Sequence, residues 1–429
     1  MSLPSTLAFA PKRDAVNSTL FNQISIPLNG STINPLDTVT IPVQSTGRYG
    51  SYLDPSMTFL SFQIVNQDGT NSIVIDNSAY SFIERVVVQS SGSVISDLQN
   101  FGAWAAMLLD MSPQSSRSTG FAVTAGCEGS ATQSPNFSRK GATIAGGASL
   151  NVSIPLLGTA IDVTGTPDKL IPVGAMSDLQ IVLYMSSAKN AVTAATAPTA
   201  TWQLKNFRLN TTYVQLDETA QRMIDEANGG AYKWSTTLWR AFNSTTGAND
   251  GGNNVVVPIK ASSIKSTYSI WRPVAANESY TACWQSARHN PFGLVSATTL
   301  GSAYAQVGAL SIPNIPLRTA PEFFSSLQNA WHQLAVPSAY DTQLTVGDFD
   351  AAASTASQAP TGSFVLGLNM ESFSGKTGVF HSGVNCTGGT SFVLNAVYPA
   401  ALSAAQQITT FVQYDAIIEV AGGSVVCSW

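Results

Sequence analysis

Charge is what this 429-residue sequence has least of: Asp, Glu, Lys and Arg make up 10% of it, against about 25% in an average soluble protein. The net charge is -5, and no basic run is longer than Lys12-Arg13 or Arg139-Lys140. A protein that gathers nucleic acid by counterion release needs clustered Lys and Arg, so direct sequence-specific nucleic-acid binding is not expected. Only four cysteines occur, Cys127, Cys283, Cys386 and Cys427, far apart and without a C-x-x-C, which disfavours both a zinc site and a disulfide scaffold. Buried thiols are the expectation. The N-terminus lacks the charged start and apolar run of a signal peptide, and no window of 18 apolar residues exists to span a membrane. Without a signal peptide, the sequons at Asn17, Asn29, Asn136, Asn151, Asn210, Asn243, Asn277 and Asn385 are expected to stay bare.

Catalytic and metal-binding patterns are equally scarce. The three histidines, His289, His332 and His381, sit in no ligand spacing such as H-E-x-x-H. Asp348 and Asp350 form a G-D-F-D turn, better read as solvated than as a cation loop. Glu84, Arg85, Asp415 and Glu419 lie in strand-like runs and are read as members of structural salt bridges. There is no phosphate loop, nucleophile elbow or dinucleotide fingerprint. Trp104, Trp234, Trp239, Trp271, Trp331 and Tyr414 could stack on sugars, but their placement favours packing. No catalytic, cofactor-binding or metal residue is assigned, no cofactor is expected, and an enzyme is the least favoured class.

What the chain does have is 44% hydrophobic residues and a repeated order of elements. At the midpoint, Leu216 to Trp234 is a polar stretch with Ala220, Met223, Ile224 and Ala227 on one helical face. Asp217 can cap its start, and Gly229-Gly230 can close it. On each side the periodicity predicts strands, then one helix, a loop and three more strands. In the first half strands are expected at 21–28, 38–44, 57–65, 82–89, 149–156, 178–185 and 201–216. Ser96-Asp-Leu-Gln99 reads as a capping box opening a helix to Asp110. In the second half strands are expected at 233–242, 255–259, 264–272, 363–371, 391–397 and 407–420. Between them Pro273–Arg318 holds short β pieces at best, and Thr319-Ala-Pro-Glu322 is a second capping box. Too few helices occur for an α/β sheet. The expectation is an all-β chain of two tandem eight-stranded jelly-roll β-sandwiches, each with one flanking helix, joined by a short helical hinge. The domains would be an N-terminal arm at 1–20, a first jelly roll at 21–216, the hinge at 217–232, and a second jelly roll at 233–429.

Several stretches then resemble one family: Y-L-D-P-S-M-T-F-L-S-F at 52–62, F-I-E-R-V-V-V-Q-S-S-G-S-V-I-S-D-L-Q-N-F at 82–101, L-D-E-T-A-Q-R-M-I at 216–224, V-G-A-L-S-I-P-N-I-P-L-R at 307–318 and T-F-V-Q-Y-D-A-I-I-E-V at 410–420. In this order they are similar to the double jelly-roll major capsid proteins of icosahedral DNA viruses, the adenovirus hexon-like lineage. The resemblance implies a homotrimer whose six barrels form a pseudo-hexagonal tile, self-assembly of tiles into a virion shell, and a penton or minor capsid protein at the vertices. It leaves room for an internal membrane. The loops Met111–Ala148, Pro273–Arg318 and Val336–Gly362 would supply the crown and trimer contacts. Two alternatives stand beside it: a single-jelly-roll capsid protein with a projecting β domain, which usually carries a basic arm, and a β-sandwich surface adhesin or lectin, which calls for a signal peptide.

Overall fold

A computed structural model describes residues 18–43, 50–112, 120–127, 140–161, 169–293, 300–331, 344, 349, 362–372, 382–388 and 390–429. The first half folds into two four-stranded antiparallel sheets. One has the order β1 (Ser18–Ser25), β11 (Trp202–Leu216), β3 (Ser51–Asn66), β8 (Ser149–Pro155). The other has β2 (Thr38–Pro42), β9 (Leu179–Met185), β5 (Ile83–Ser90), β6 (Ser93–Gln99). A small third sheet, β10 (Val192–Thr193), β4 (Ile73–Asp76), β7 (Lys140–Ile144), is built from the connections between them.

The second half repeats that order. Its first sheet is β12 (Ala231–Thr246), β19 (Gln406–Ala421), β14 (Ile264–Pro273), β17 (Leu366–Asn369), with β20 (Ser424–Ser428) added beside β19. Its second is β13 (Gly252–Val257), β18 (Phe392–Val397), β15 (Ser302–Val307), β16 (Leu310–Leu317). Counting only the eight strands of each sandwich, both halves run 1-8-3-6 in one sheet and 2-7-4-5 in the other. That is the jelly-roll winding. In each half a helix follows the fifth strand: α1 (Phe101–Asp110) and α3 (Ala320–Ala330). Between the halves lies α2 (Glu218–Asn228).

The physics of each element follows its sequence. Along β3, Leu60, Phe62 and Ile64 face the core, while Phe59, Ser61 and Gln63 face out, the period of two that a half-buried strand requires. α3 opens with the expected capping box: Glu322 Oε2 accepts from the Thr319 amide at 3.1 Å and the Arg318 amide at 2.7 Å. α2 is capped as read, with Asp217 Oδ1 accepting from the Ala220 amide at 2.7 Å and Gly229 closing it at φ 62°.

Three expectations need correction. Ser96–Gln99 is not a capping box; it is the end of strand β6, and Ser96 Oγ accepts from the Ala160 amide at 3.2 Å. α1 starts five residues later, after Asn100 turns the chain in the left-handed conformation that Asn tolerates. The anticipated apolar face of α2 is not buried as a unit: Ala220 is, but Met223 and Ala227 are exposed. Gln221 is buried instead, accepting from Tyr52 Oη of β3 at 3.0 Å and donating to Tyr232 Oη of β12 at 2.7 Å. The Pro273–Arg318 stretch is no loop throughout, since it contains β15 and β16. β16 accommodates Pro313 and Pro316 because it lies at a sheet edge, where a missing N–H costs no ladder bond.

Candidate assembly surfaces and the seam between the sandwiches

The two sandwiches meet along β6, α1, β12 and the connection from β14 to β15. Rings cross this seam in a chain. Phe101 stacks on Trp104 with centroids 5.8 Å apart, Trp104 meets Trp239 edge-on at 5.4 Å, Trp239 lies 5.5 Å from Tyr268, and Tyr268 lies 5.8 Å from Trp331. α1 is buried on nearly all sides, as a helix with apolar residues around its whole circumference must be. Gly158 makes room for Trp104: a Cβ there would lie 2.6 Å from the indole. Trp234, Ile95 and Met176 surround one small void farther along the seam.

Beside the rings lies a buried polar network in which the first half supplies the carboxylates, Asp76, Glu84 and Asp110, and the second half the arginines, Arg272 and Arg288. Asp76 accepts from the Gln285 amide at 2.7 Å and from Ser286 Oγ. Glu84 accepts from Gln285 Nε2 at 3.2 Å. Arg272 donates to Asn100 Oδ1 at 2.7 Å and to Thr409 Oγ1 at 2.9 Å, with its guanidinium 4.3 Å above the Trp284 ring. Arg288 pairs with Asp110. Asn100 Nδ2 also donates to Asn243 Oδ1 at 3.2 Å, so the residue that turns the chain into α1 also ties the halves together. Burial pushes Asp76 up to about 6, against the lowering effect of its bonds to Ser286 and Gln285. Burial likewise raises Glu84, opposed by the Arg272 charge, and lowers Arg272 to about 10, opposed by Glu84 and Asp76. Such a network adds little net stability over an apolar seam, but removing one partner strands a buried charge. It therefore fixes how the sandwiches sit against each other.

The residues singled out in the sequence fall as follows. His289 is buried in the segment that carries the network, its amide donating to the Trp271 carbonyl at 2.9 Å. His332, His381, Asp348 and Asp350 lie outside the described residues. Arg85 forms a bidentate pair with Asp97, both bonds at 2.7 Å. Glu419 pairs with Lys233 at 3.0 Å, and Asp415 accepts from Ser263 Oγ at 2.7 Å with Lys265 at 4.0 Å. The six aromatic residues pack in the cores and the seam: Trp271 lies 5.3 Å from Phe292, and Tyr414 lies 6.2 Å from Trp429. None of the four cysteines is in a disulfide. Among the described residues, no three His, Cys, Asp or Glu side chains converge where a metal could sit, and no helix is long and apolar enough to cross a membrane. Asp76, Asp110, Arg272 and Arg288 escaped the sequence reading. The one available signal was a charge inside an apolar run, as in Y-S-I-W-R.

Two outward surfaces remain. An open groove of about 800 Å³ runs over the first sheet, floored by Ser61, Gln63, Asn151 and Arg208 and walled by Ile24 and Ile26. Apolar side chains also stand out on β16, at Leu310 and Ile315.

No protein-family model matches the sequence, and no curated protein matches it. Solved structures do match over the whole chain. Vp54 of PBCV-1, in the form fitted into a cryo-EM reconstruction of the virophage Sputnik, is similar with a TM-score of 0.64 at 12% identity, over 98% of both chains. The Faustovirus major capsid protein gives 0.65 at 10% identity, over 97% of this chain and 92% of that one. The mavirus major capsid protein gives 0.52 at 10% identity, over 100% and 93%. At these identities the likeness is one of fold: the chain is a double jelly roll of the kind found in viral major capsid proteins.

Proposed function

We propose that this chain is the major capsid protein of an icosahedral virus and works by self-assembly. The observation that carries the reading is the same eight-strand winding twice in one chain, with a helix after the fifth strand each time, matched end to end by capsid structures. Upright strands put all odd-numbered connections of a jelly roll at one end. In each half the longest connection, the one after the fifth strand, lies at that end and suits a crown on the outside of a shell. Three copies would give six sandwiches in a ring, a tile that burial of several thousand Å² per subunit would make obligate. Polar contacts would then join tiles, and the low charge limits repulsion between them. The protein's partners are accordingly itself, neighbouring trimers and a penton or minor protein at the vertices, its place is the virion, and an internal membrane fits a chain with no basic cluster for genome. Binding and assembly are its work, not catalysis. Native mass spectrometry of the purified protein tests the reading: a stable species at three times 45.0 kDa supports it, and a monomer at every concentration refutes it.

A further inference from the structure

The seam inside the chain points to the seam between chains. The second strand pair to compare is β1 with β11 and β12 with β19. Ser18 pairs with the last residue of β11, Leu216, and Ala231 pairs with the last residue of β19, Ala421. On this register Phe21 and Ser25 correspond to Trp234 and Leu238, and the paired core residues Tyr213 and Ile418 correspond as well. The outward faces correspond too: Ile24, Ile26 and Leu28 take the places of Thr237, Trp239 and Ala241. Trp239 and Ala241 are 6% and 7% exposed; Trp239 reaches that burial against Trp104 of the first sandwich. Ile24, Ile26 and Leu28 are 55%, 57% and 67% exposed. Among the described residues this face is therefore covered in one sandwich and open in the other.

The other side of the seam repeats as well. β6 and β16 are the fifth strands of their sandwiches, each at the sheet edge. β6 runs against β12 and β20. Among the described residues β16 pairs only with β15, and it leaves Leu310 48% and Ile315 82% exposed. A large apolar side chain that exposed on an edge strand is an invitation to association. Among the described residues one chain thus ends in two different uncovered faces, each the counterpart of a face already joined within it.

We infer that a second copy of this chain covers β1: the β16 edge of one copy, through Leu310 and Ile315, packs on Ile24, Ile26 and Leu28 of the next and repeats the β6–β12 seam. The contact is head-to-tail, so each copy offers one face of each kind and a ring closes without leaving either exposed. This rests on the self-assembly reading above and adds the surfaces that perform it.

The test uses Ile26→Asp, which spoils the β1 face, Ile315→Asp, which spoils the β16 face, and Val256→Asp as a control. Val256 is equally exposed at 62% but lies on β13, at the far edge of its sheet from β16. All three side chains are on the surface, so circular dichroism and thermal unfolding should match the unaltered protein. Native mass spectrometry should show the control as a trimer and each interface variant alone as a monomer. An equimolar mixture of the two variants should give a one-to-one dimer at twice 45.0 kDa, because one intact β16 face meets one intact β1 face and growth stops there. A mixture that stays monomeric, or Ile315→Asp that still forms trimers, overturns the inference while leaving self-assembly standing. An unaltered protein that never associates overturns the self-assembly reading itself, and this inference with it.

Discussion

The double sandwich should tighten as the medium turns mildly acid, and Asp76 is the reason. Its carboxyl is buried in the seam and pushed up to about 6 from an ordinary value of 3.8. A raised carboxyl takes up its proton in the folded state before it does in the unfolded chain. Its contribution is therefore fully present below the unfolded pKa and is lost as pH rises through the folded one. The whole shift corresponds to on the order of 3 kcal/mol. Between about pH 5 and about pH 7.5, roughly 1.4 kcal/mol of it disappears. Glu84, also raised by burial, acts in the same direction. Other carboxylates act oppositely: Asp68 is held low by amides of Asn71, Thr70 and Thr199. The pH profile of the unaltered protein alone is thus a sum, and the informative quantity is a difference. Asp76→Asn keeps a carbonyl oxygen for Ser286 or Gln285 but cannot titrate. Thermal unfolding of both proteins at the two pH values should show the variant losing less stability on the way to pH 7.5, by about 1 kcal/mol. Equal losses in the two proteins would refute the claim that Asp76 sits ionised at a cost in the seam.

Two further perturbations probe the seam's packing and its charges. Gly158 has φ 71° and no room beside Trp104, so Gly158→Ala should cost roughly 2–4 kcal/mol. Gly229→Ala, at φ 62° with open space around it, should cost only about 1 kcal/mol, and equal costs in chemical denaturation would contradict the steric account. Asp110→Ala leaves Arg288 charged and buried and should cost about 3–5 kcal/mol, whereas Asp110→Leu with Arg288→Met should recover most of that; a double variant as unstable as the single would show that the pair contributes more than mutual compensation.

Most strands were legible because their period of two shows in the residues themselves, as in M-T-F-L-S-F-Q-I-V of β3, and α2 and α3 announced themselves through Asp217 and Glu322. The errors have local causes. Ser96 and Gln99 carry the chemistry of a cap, but pairing with β5, continued past a bulge at Ile95, made them strand. The prolines of β16 disguised an edge strand. The seam was illegible for a different reason: Asp76 finds Ser286 across 210 positions, and Asn100 finds Arg272 across 172. No window along the chain contains both partners. Nor could the sequence say that Ile26 and Trp239 stand at matching points, since the halves share winding rather than residues.

The central claim is that two sandwiches per chain build a tile of six. Class averages of negatively stained particles viewed down the symmetry axis test it most directly. The account predicts six evenly spaced lobes around a closed ring, built from three chains. Three lobes, or open strings of subunits, would contradict it.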